Sequence, residues 1–193
     1  MTGFRNMNDT LNLLAARRSA PPVHMTGPGP DAEELRRILT LAARVPDHGK
    51  LAPWRFIIFE GEARERAGAI FAEIYARRNP DAEPTRLEQE RGRLTRAPMV
   101  VAVVSRAAEH VKVPIWEQEM SAGAVCMALT VAATASGFRT AWLTEWMAYD
   151  HEVLTRLGLG AHEKIAGFIH IGRVAAKIED RVRPDLDALV SYF

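Results

Sequence analysis

The 193-residue sequence predicts a layered fold of alternating helices and strands, of the α/β or α+β class. Three apolar runs rich in β-branched residues have the length of inner strands covered on both faces, at 99–104, 139–143 and 165–171. The long alanine-rich segment 116–136 indicates a buried helix between the first two runs. We expect one domain over residues 1–193, whose core needs neither disulfides nor a structural metal.

Capping residues delimit the helices that precede the first strand. Asp9 stands before three leucines and is predicted to cap a short first helix. Asp31 is predicted to cap a second helix, which has apolar residues at helical spacing and ends near Arg44. A polar turn over 47–52 then leads into the run 56–59, which has the composition of a strand.

The remaining helices are predicted from charge and length. The charged, alanine-rich stretch 61–96 is broken at Asn79 and Pro80, which predicts two exposed helices whose charges form a solvated face. A shorter helix is predicted over 150–157, between the second and third inner strands. These elements complete the alternation of helices and strands.

The charge balance and the apolar segments exclude several functions. With 25 Lys and Arg against 24 Asp and Glu, the net charge of +1 attracts neither nucleic acid nor an anionic membrane, so neither is expected as a partner. The N-terminus lacks the apolar run of a signal peptide, and the longest apolar segment, 120–135, is too short to span a bilayer. The sole cysteine, Cys126, gives no disulfide framework, so a cytoplasmic location is expected.

Motifs for common nucleotide, hydrolase and metal sites are absent. The sequence contains no GxGxxG after a strand, no GxxxxGK[ST] and no GxSxG, and HEVLT at 151–155 does not complete HExxH. No CxxC pair or cysteine-rich zinc site is present, and no bound metal is expected. Because no basic residue lies near Cys126 in the sequence to lower its pKa, we expect a packed core thiol.

Two polar clusters remain as candidate sites. Arg17, Arg18 and Ser19 could bind a phosphate through guanidinium and hydroxyl donors. The commoner role of arginines at a helix end is to satisfy the last helical carbonyls. Asp47 and His48 suggest an acid–base pair, although adjacent side chains usually point apart and such turns are more often solvated. The residues alone therefore leave the function open.

Five blocks of sequence stand in order along nearly the whole chain. They are LLAARRS at 13–19, ARVPDHGKLAPWRFIIFEGEARER at 43–66, KVPIWEQEMSAGAVCMAL at 112–129, ASGFRTAW at 135–142, and the closing KIAGFIHIG with VSYF. Together these blocks resemble the nitroreductase family, and especially its branch of small YdjA-type NAD(P)H nitroreductases. Any one block would be weak evidence, but all five in register are specific.

The resemblance implies a fold, an assembly and an activity. The expected fold is an α+β three-layer sandwich, with a central, mainly antiparallel sheet flanked by helices. The expected assembly is an intertwined homodimer with FMN at two interface sites, which would bury the second face of the apolar helix 116–136. The expected activity uses NADH or NADPH, through FMN, to reduce a nitro compound or a related small electron acceptor in two steps.

The resemblance also implies site residues. FMN contacts are expected, some from each subunit, at Arg17, Arg18, Ser19, Arg44, His48, Trp142, Leu143 and Thr144. NAD(P)H contacts are expected in a mostly apolar segment that could equally be structural: Ala132, Ala133, Thr134, Ala135, Ser136 and Gly137. No side chain is implied as a catalytic acid or base, because the flavin carries the chemistry.

Several alternatives stay open. The same contacts would serve a flavin-storing protein without turnover, or a family member with different flavin chemistry, and a cofactor-free interaction domain is a third alternative. The chain has Asp47–Lys50 where larger family members carry a turn rich in serine and asparagine, so flavin tuning and substrate preference are not implied. Larger members also place basic residues near the C-terminus against the phosphate, and the sequence does not show whether Arg173, Arg181 or Arg183 does so.

Overall fold

The computed structural model describes residues 7–176 and 178–193. Its helices and strands alternate along the chain, as the apolar pattern predicts. The α-helices are α1 (Met7–Ala16), α2 (Ala32–Ala42), α3 (Glu62–Arg78), α4 (Pro84–Arg91), α5 (Ile115–Ala135) and α6 (His151–Arg156). The strands are β1 (Trp54–Glu60), β2 (Met99–Ser105), β3 (Arg139–Leu143) and β4 (Lys164–Gly172).

The four strands form one sheet in the order β1-β2-β4-β3, and every neighbouring pair is antiparallel. β2 is buried along its whole length, as expected for a β-branched run covered on both faces. The prediction that β3 is an inner strand is wrong, because β3 forms an edge of the sheet. Among the described residues, its outer side pairs with Ser19 in a single parallel bridge at Thr140.

Helices cover both faces of the sheet. On one face, α2 and α5 pack against a core that includes Met99, Val101 and Val103 of β2. On the other face, the intervening residues of β2 join a core with Phe71 of α3 and Val153 of α6. The expected α+β class, with an antiparallel sheet between helical layers, is confirmed.

Side-chain caps mark the N-termini of α2 and α6. The Asp31 carboxylate accepts a hydrogen bond from the Glu34 N–H at 2.8 Å, and the Glu34 carboxylate accepts one from the Asp31 N–H at 3.0 Å, so Asp31 caps α2 as predicted. Asp150 caps α6 by accepting from two backbone N–H groups. Asp9 does not cap α1 as predicted, because it lies within the first turn of a helix that includes Met7.

The charged stretch 61–96 forms two helices, as predicted, but its charges are not all solvated. α3 buries Phe71 and Ile74. Glu90 of α4 is also fully buried, and its carboxylate lies 2.8 Å from Arg93 and 2.7 Å from Arg86. The expectation of a wholly solvated face is therefore wrong, because arginine partners allow a carboxylate to be buried.

Helix α5 is apolar on all sides but only partly covered. Its buried side includes Cys126, and burial raises the pKa of the Cys126 thiol to about 12, which agrees with a core role. On its outer side, Trp116, Met120 and Met127 are 68%, 57% and 40% exposed. Across the described residues, α5 included, no helix is long and apolar enough to cross a membrane.

Candidate functional site

The predicted FMN-contacting residues fall into two groups. One set lies along the outer edge of β3 or in the chain beside it, and we name it the edge group: Arg17, Arg18, Ser19, Trp142, Leu143 and Thr144. The other residues, Arg44 and His48, lie between α2 and β1, and we name them the turn group.

A bridge to β3 positions the N-terminal half of the edge group. After α1 ends at Ala16, Ser19 pairs with Thr140, and the Ala20 N–H donates to the Thr140 carbonyl oxygen at 3.0 Å. Ala20 is buried, which fixes this segment against the sheet. The arginines before Ser19 therefore lie beside the strand that carries Trp142.

The two arginines of the edge group have different partners. Arg18 donates to the Glu179 carbonyl oxygen, and its Nη1 lies 3.0 Å from Asp180 Oδ1, so Asp180 balances its charge. Arg17 is half-buried, and its side chain makes no hydrogen bond or ion pair with any residue that the structure describes. Of the two arginines, Arg17 is therefore the one whose donors no described residue occupies, and they could bind an anion.

Trp142 of β3 presents an aromatic ring over the sheet beside this edge. Its Nε1–H donates to the Ala166 carbonyl oxygen at 3.0 Å, so the indole lies across β4. Glycine is needed at 167, because a Cβ there would lie 2.1 Å from Trp142 Nε1. Trp142 is 41% exposed and offers a flat apolar surface to a ligand.

Asp47 holds the turn that carries His48. Its carboxylate accepts hydrogen bonds from the Leu51 and Ala52 N–H groups at 3.1 and 2.8 Å. Lys50 and Ala52 have positive φ values of 55° and 44°, which non-glycine residues adopt only when their surroundings enforce them. The Asp47 side chain is thus occupied by the backbone of the turn and forms no acid–base pair with His48.

The turn is also attached to α5. His48 Nδ1 lies 2.7 Å from Glu117 Oε2, and the Ser121 hydroxyl donates to the Pro46 carbonyl oxygen at 2.6 Å. Both contacts fall in the N-terminal half of α5. His48 therefore has a carboxylate partner that lies 69 residues away in the sequence.

The two groups are separate within one chain. The edge group is attached to β3, whereas the turn group is attached to α5. No hydrogen bond or ion pair joins them within residues 7–176 and 178–193, and Arg44 is exposed to solvent. A single chain thus leaves the predicted FMN-contacting residues in two places.

The edge group has the chemistry of a site for a phosphate joined to a planar ring. The available guanidinium of Arg17 and the exposed hydroxyl of Ser19 supply directed donors for phosphate oxygens. The exposed indole of Trp142 supplies an aromatic surface. FMN carries both a phosphate and a planar ring system, so the residues present fit this cofactor.

The segment expected to contact NAD(P)H forms the last turn of α5 and its exit. Its buried residues are Ala132, Ala133 and Thr134. The hydroxyls of Thr134 and Ser136 donate to carbonyl oxygens one helical turn earlier, at 2.8 and 2.9 Å. Ala135 and Gly137 are exposed. A contact between this segment and NAD(P)H stays a prediction, and its exposed residues are the ones a ligand could reach.

Sequence reasoning missed charged residues around the segment that follows Thr144. The Glu145 carboxylate accepts hydrogen bonds from Arg93 and, at 2.6 Å, from Arg96. Glu145 also has a positive φ of 59°. These partners lie 52 and 49 residues away in the sequence, so no local pattern indicates them.

A cleft of about 300 Å³ adjoins the end of the turn at Leu51–Pro53. Its lining includes Leu51, Pro53, Arg106, His110 and His162, but none of the predicted FMN-contacting residues. We therefore place the candidate site at the edge group and not in this cleft.

Comparison with solved structures identifies the fold. A nitroreductase-like family protein from Bacillus cereus has a TM-score of 0.79 at 19% identity, covering 100% of this chain and 98% of that chain. A nitroreductase with bound FMN from Bacteroides fragilis has a TM-score of 0.69 at 21% identity, covering 92% of this chain and 95% of that chain. The chain therefore has the nitroreductase fold.

Sequence comparison gives the family. Residues 14–173 match the model of the nitroreductase family. The chain is 37% identical over 186 residues to the Escherichia coli K12 protein named "Putative NAD(P)H nitroreductase YdjA", covering 96% of this chain and 100% of that relative. It is 33% identical over 186 residues to a similarly named protein of Haemophilus influenzae, covering 95% of this chain and 99% of that relative. The chain belongs to the nitroreductase family.

Proposed function

We propose that the protein is an FMN-dependent oxidoreductase that uses NAD(P)H to reduce nitro compounds or related small electron acceptors. The observation that carries this proposal is the edge group, where Arg17 lies in the segment beside β3, the strand that carries the exposed indole of Trp142. The relatives support it, since two are named as NAD(P)H nitroreductases and a structural neighbour has bound FMN.

In this proposal, each part of the edge group has its own task. Arg17 and Ser19 bind the phosphate through charge-assisted hydrogen bonds. Arg18 also binds the phosphate, which takes the place of the Asp180 carboxylate as the anion beside its guanidinium. Trp142 packs its ring against the cofactor, and Leu143 and Thr144 continue the contact along the chain.

In this proposal the cofactor carries out the redox chemistry and the protein binds the reactants. When bound, FMN would supply the redox chemistry, namely hydride acceptance from nicotinamide and electron transfer to a second substrate. The protein binds and orients the reactants and shields them from water, and we assign no side chain as acid or base. We propose a ping-pong order, with Ala135 and Gly137 as the accessible part of the NAD(P)H segment.

We further propose that two copies of the chain, each a single domain over residues 1–193, complete the site. The outer side of α5 exposes Trp116, Met120 and Met127, an apolar stripe that a second copy would cover. The turn group of one subunit would then join the edge group of its partner. This arrangement gives a reason for the separation of the two groups within one chain.

The visible spectrum of the purified protein with FMN tests the activity. We expect bound flavin to bleach anaerobically when NADH or NADPH is added, and to recover its absorbance when a nitroaromatic or a quinone follows. Bound flavin that neither nucleotide reduces would refute the oxidoreductase and favour a flavin-storing protein. Reduction without recovery by either acceptor would instead indicate different flavin chemistry.

A pair of arginine variants tests the location of the site. Arg17→Ala should weaken FMN binding about tenfold or more, because one charge-assisted hydrogen bond to phosphate contributes about 1.5–3 kcal/mol. Arg37→Ala is the matched control, because Arg37 is an exposed arginine on α2, outside both groups. Equal FMN affinity in the two variants would show that the phosphate binds elsewhere.

A further inference from the structure

Glu145 directly follows the edge group and has a backbone conformation that non-glycine residues avoid. Its φ is 59° and its ψ is −179°, a region occupied essentially by glycine. An L-amino acid in this region is strained, so its surroundings must hold it there. The residue lies between Thr144, the end of the edge group, and a short 3₁₀ helix, Trp146–Ala148.

Two arginines hold the Glu145 carboxylate. Arg93 Nη1 donates to its Oε2, and Arg96 Nη2 donates to its Oε1 at 2.6 Å. The side chains of Arg93, Arg96 and Glu145 are 16%, 26% and 21% exposed, so solvent screens these pairs only partly. Because each carboxylate oxygen has its own donor, the side chain is fixed in position and in rotation.

The arginines are themselves fixed by the end of α4. Arg93 Nε and Nη2 donate to the buried Glu90 carboxylate at 2.9 and 2.8 Å, and Arg96 Nε donates to the Arg93 carbonyl oxygen at 2.9 Å. Trp146 Nε1 donates to the same Glu90 carboxylate at 2.7 Å. Burial acts to raise the pKa of Glu90, but the hydrogen bonds from Arg93 and Trp146 outweigh it and lower that pKa. Glu90 is therefore ionised, and its carboxylate holds Arg93 on one side and Trp146 on the other.

We propose that Arg93 and Arg96 are positioning residues that clamp Glu145 in its strained conformation and thereby set the path of Thr144, where the chain leaves β3 along the cofactor site. This inference rests on the proposed function, because Thr144 contacts FMN only in that proposal. The glycine-like backbone conformation of Glu145 distinguishes the clamp from an ordinary ion pair. An ion pair that served stability alone would not require Glu145 to be strained.

Two substitutions of Glu145 separate the backbone from the charge. Glu145→Ala and Glu145→Gly remove the same carboxylate, so Arg93 and Arg96 lose the same partner in both variants. They differ in the backbone, because glycine adopts the observed φ and ψ without strain and alanine does not. The readout is the Kd of the FMN-stripped protein for FMN, measured by quenching of flavin fluorescence.

The clamp predicts a definite order of affinities. Glu145→Ala should raise the Kd for FMN at least tenfold, and Glu145→Gly should bind FMN at least fivefold more tightly than Glu145→Ala. Arg96→Gln should raise the Kd about fivefold in the wild-type background and less than twofold in the Glu145→Gly background. Arg96→Lys keeps a charged donor and should recover part of the loss.

The outcomes distinguish the clamp from the proposed function. Equal Kd values for the two Glu145 variants, or weaker binding by the glycine variant, would overturn the clamp, because glycine is otherwise the less stabilising residue. A wild-type protein that binds no FMN would overturn the proposed function and this inference with it. If circular dichroism shows that either Glu145 variant is unfolded, the Kd values of Arg96→Gln and Arg96→Lys for FMN replace that comparison. Wild-type affinity in Arg96→Gln would then refute the clamp.

Discussion

Replacing Gly167 with alanine tests the packing of Trp142 against the sheet. Gly167 lies under the indole, and a Cβ at this position would lie 2.1 Å from Trp142 Nε1 and 2.4 Å from Cδ1. Both distances are far below van der Waals contact, so the indole must move. We expect Gly167→Ala to displace the ring from β4 and to break its 3.0 Å hydrogen bond to the Ala166 carbonyl oxygen.

The magnitude follows from the two interactions affected. Overpacking costs about 1–3 kcal/mol, and a hydrogen bond contributes about 1 kcal/mol. Together the two costs come to about 2–4 kcal/mol. Because Trp142 is 41% exposed and can move into solvent, we expect a loss of stability at the lower end of this sum, about 2 kcal/mol. For a chain of this size, that corresponds to a decrease in Tm of about 4–8 °C.

Thermal unfolding measures the change, and two further variants complete the test. Gly160→Ala is the control, because a Cβ at Gly160 meets its nearest atom at an ordinary 3.6 Å. In a Trp142→Ala background, Gly167→Ala should cost little, because the group it strikes is gone. If Gly167→Ala lowered Tm equally with and without the indole, the reasoning would be refuted.

Three further predictions concern a carboxylate, a thiol and an interface. Hydrogen bonds from Arg55 lower the pKa of Glu163 from 4.5 to about 2 against the effect of burial, so ionised Glu163 stabilises the fold above pH 4.5 and this contribution is lost as the pH falls to 2. Glu163→Gln should be less stable than wild type at pH 7, and the difference should shrink on acidification; a constant difference in urea unfolding would contradict this. Burial raises the pKa of Cys126 to about 12, so iodoacetamide at pH 8 should label it only in denaturant, and rapid labelling of the native protein would show that the thiol is accessible. Met120→Glu should make the protein monomeric in sedimentation, whereas Val111→Glu in an exposed loop should leave a dimer, and a dimeric Met120 variant would rule out the α5 stripe as the interface.

Features that depend on neighbouring residues were predictable from the sequence. The Asp31 cap requires only residues within one turn of a helix, and the continuous apolar run of β2 reflects burial on both faces. The edge position of β3 was not predictable, because its central residues Thr140 and Ala141 are as buried as those of an inner strand. The bridge from Ser19 covers the edge at Thr140, and such a bridge leaves no periodic signal in the sequence.

The family resemblance implies which residues to expect at the site, but it does not imply how the chain arranges them. The family resemblance indicates Arg17, Arg18 and Ser19 together, and only the structure separates the two arginines. Arg18 meets Asp180, which lies 162 residues away, whereas Arg17 keeps its donors available. The burial of Glu90 was also not predictable, because α4 has the charged composition of a solvent-exposed helix.

If FMN binds at Arg17 and Ser19 as proposed, the bridge between Ser19 and β3 would link the cofactor to the protection of a sheet edge. An uncovered edge strand offers unpaired N–H and C=O groups to other chains and favours aggregation. The segment that would bind the phosphate is the same segment that pairs with the β3 edge at Thr140. A ligand held by Arg17 and Ser19 would therefore keep this segment in place by mass action. In that proposal, the protein without FMN would open this edge more often than the protein with FMN bound.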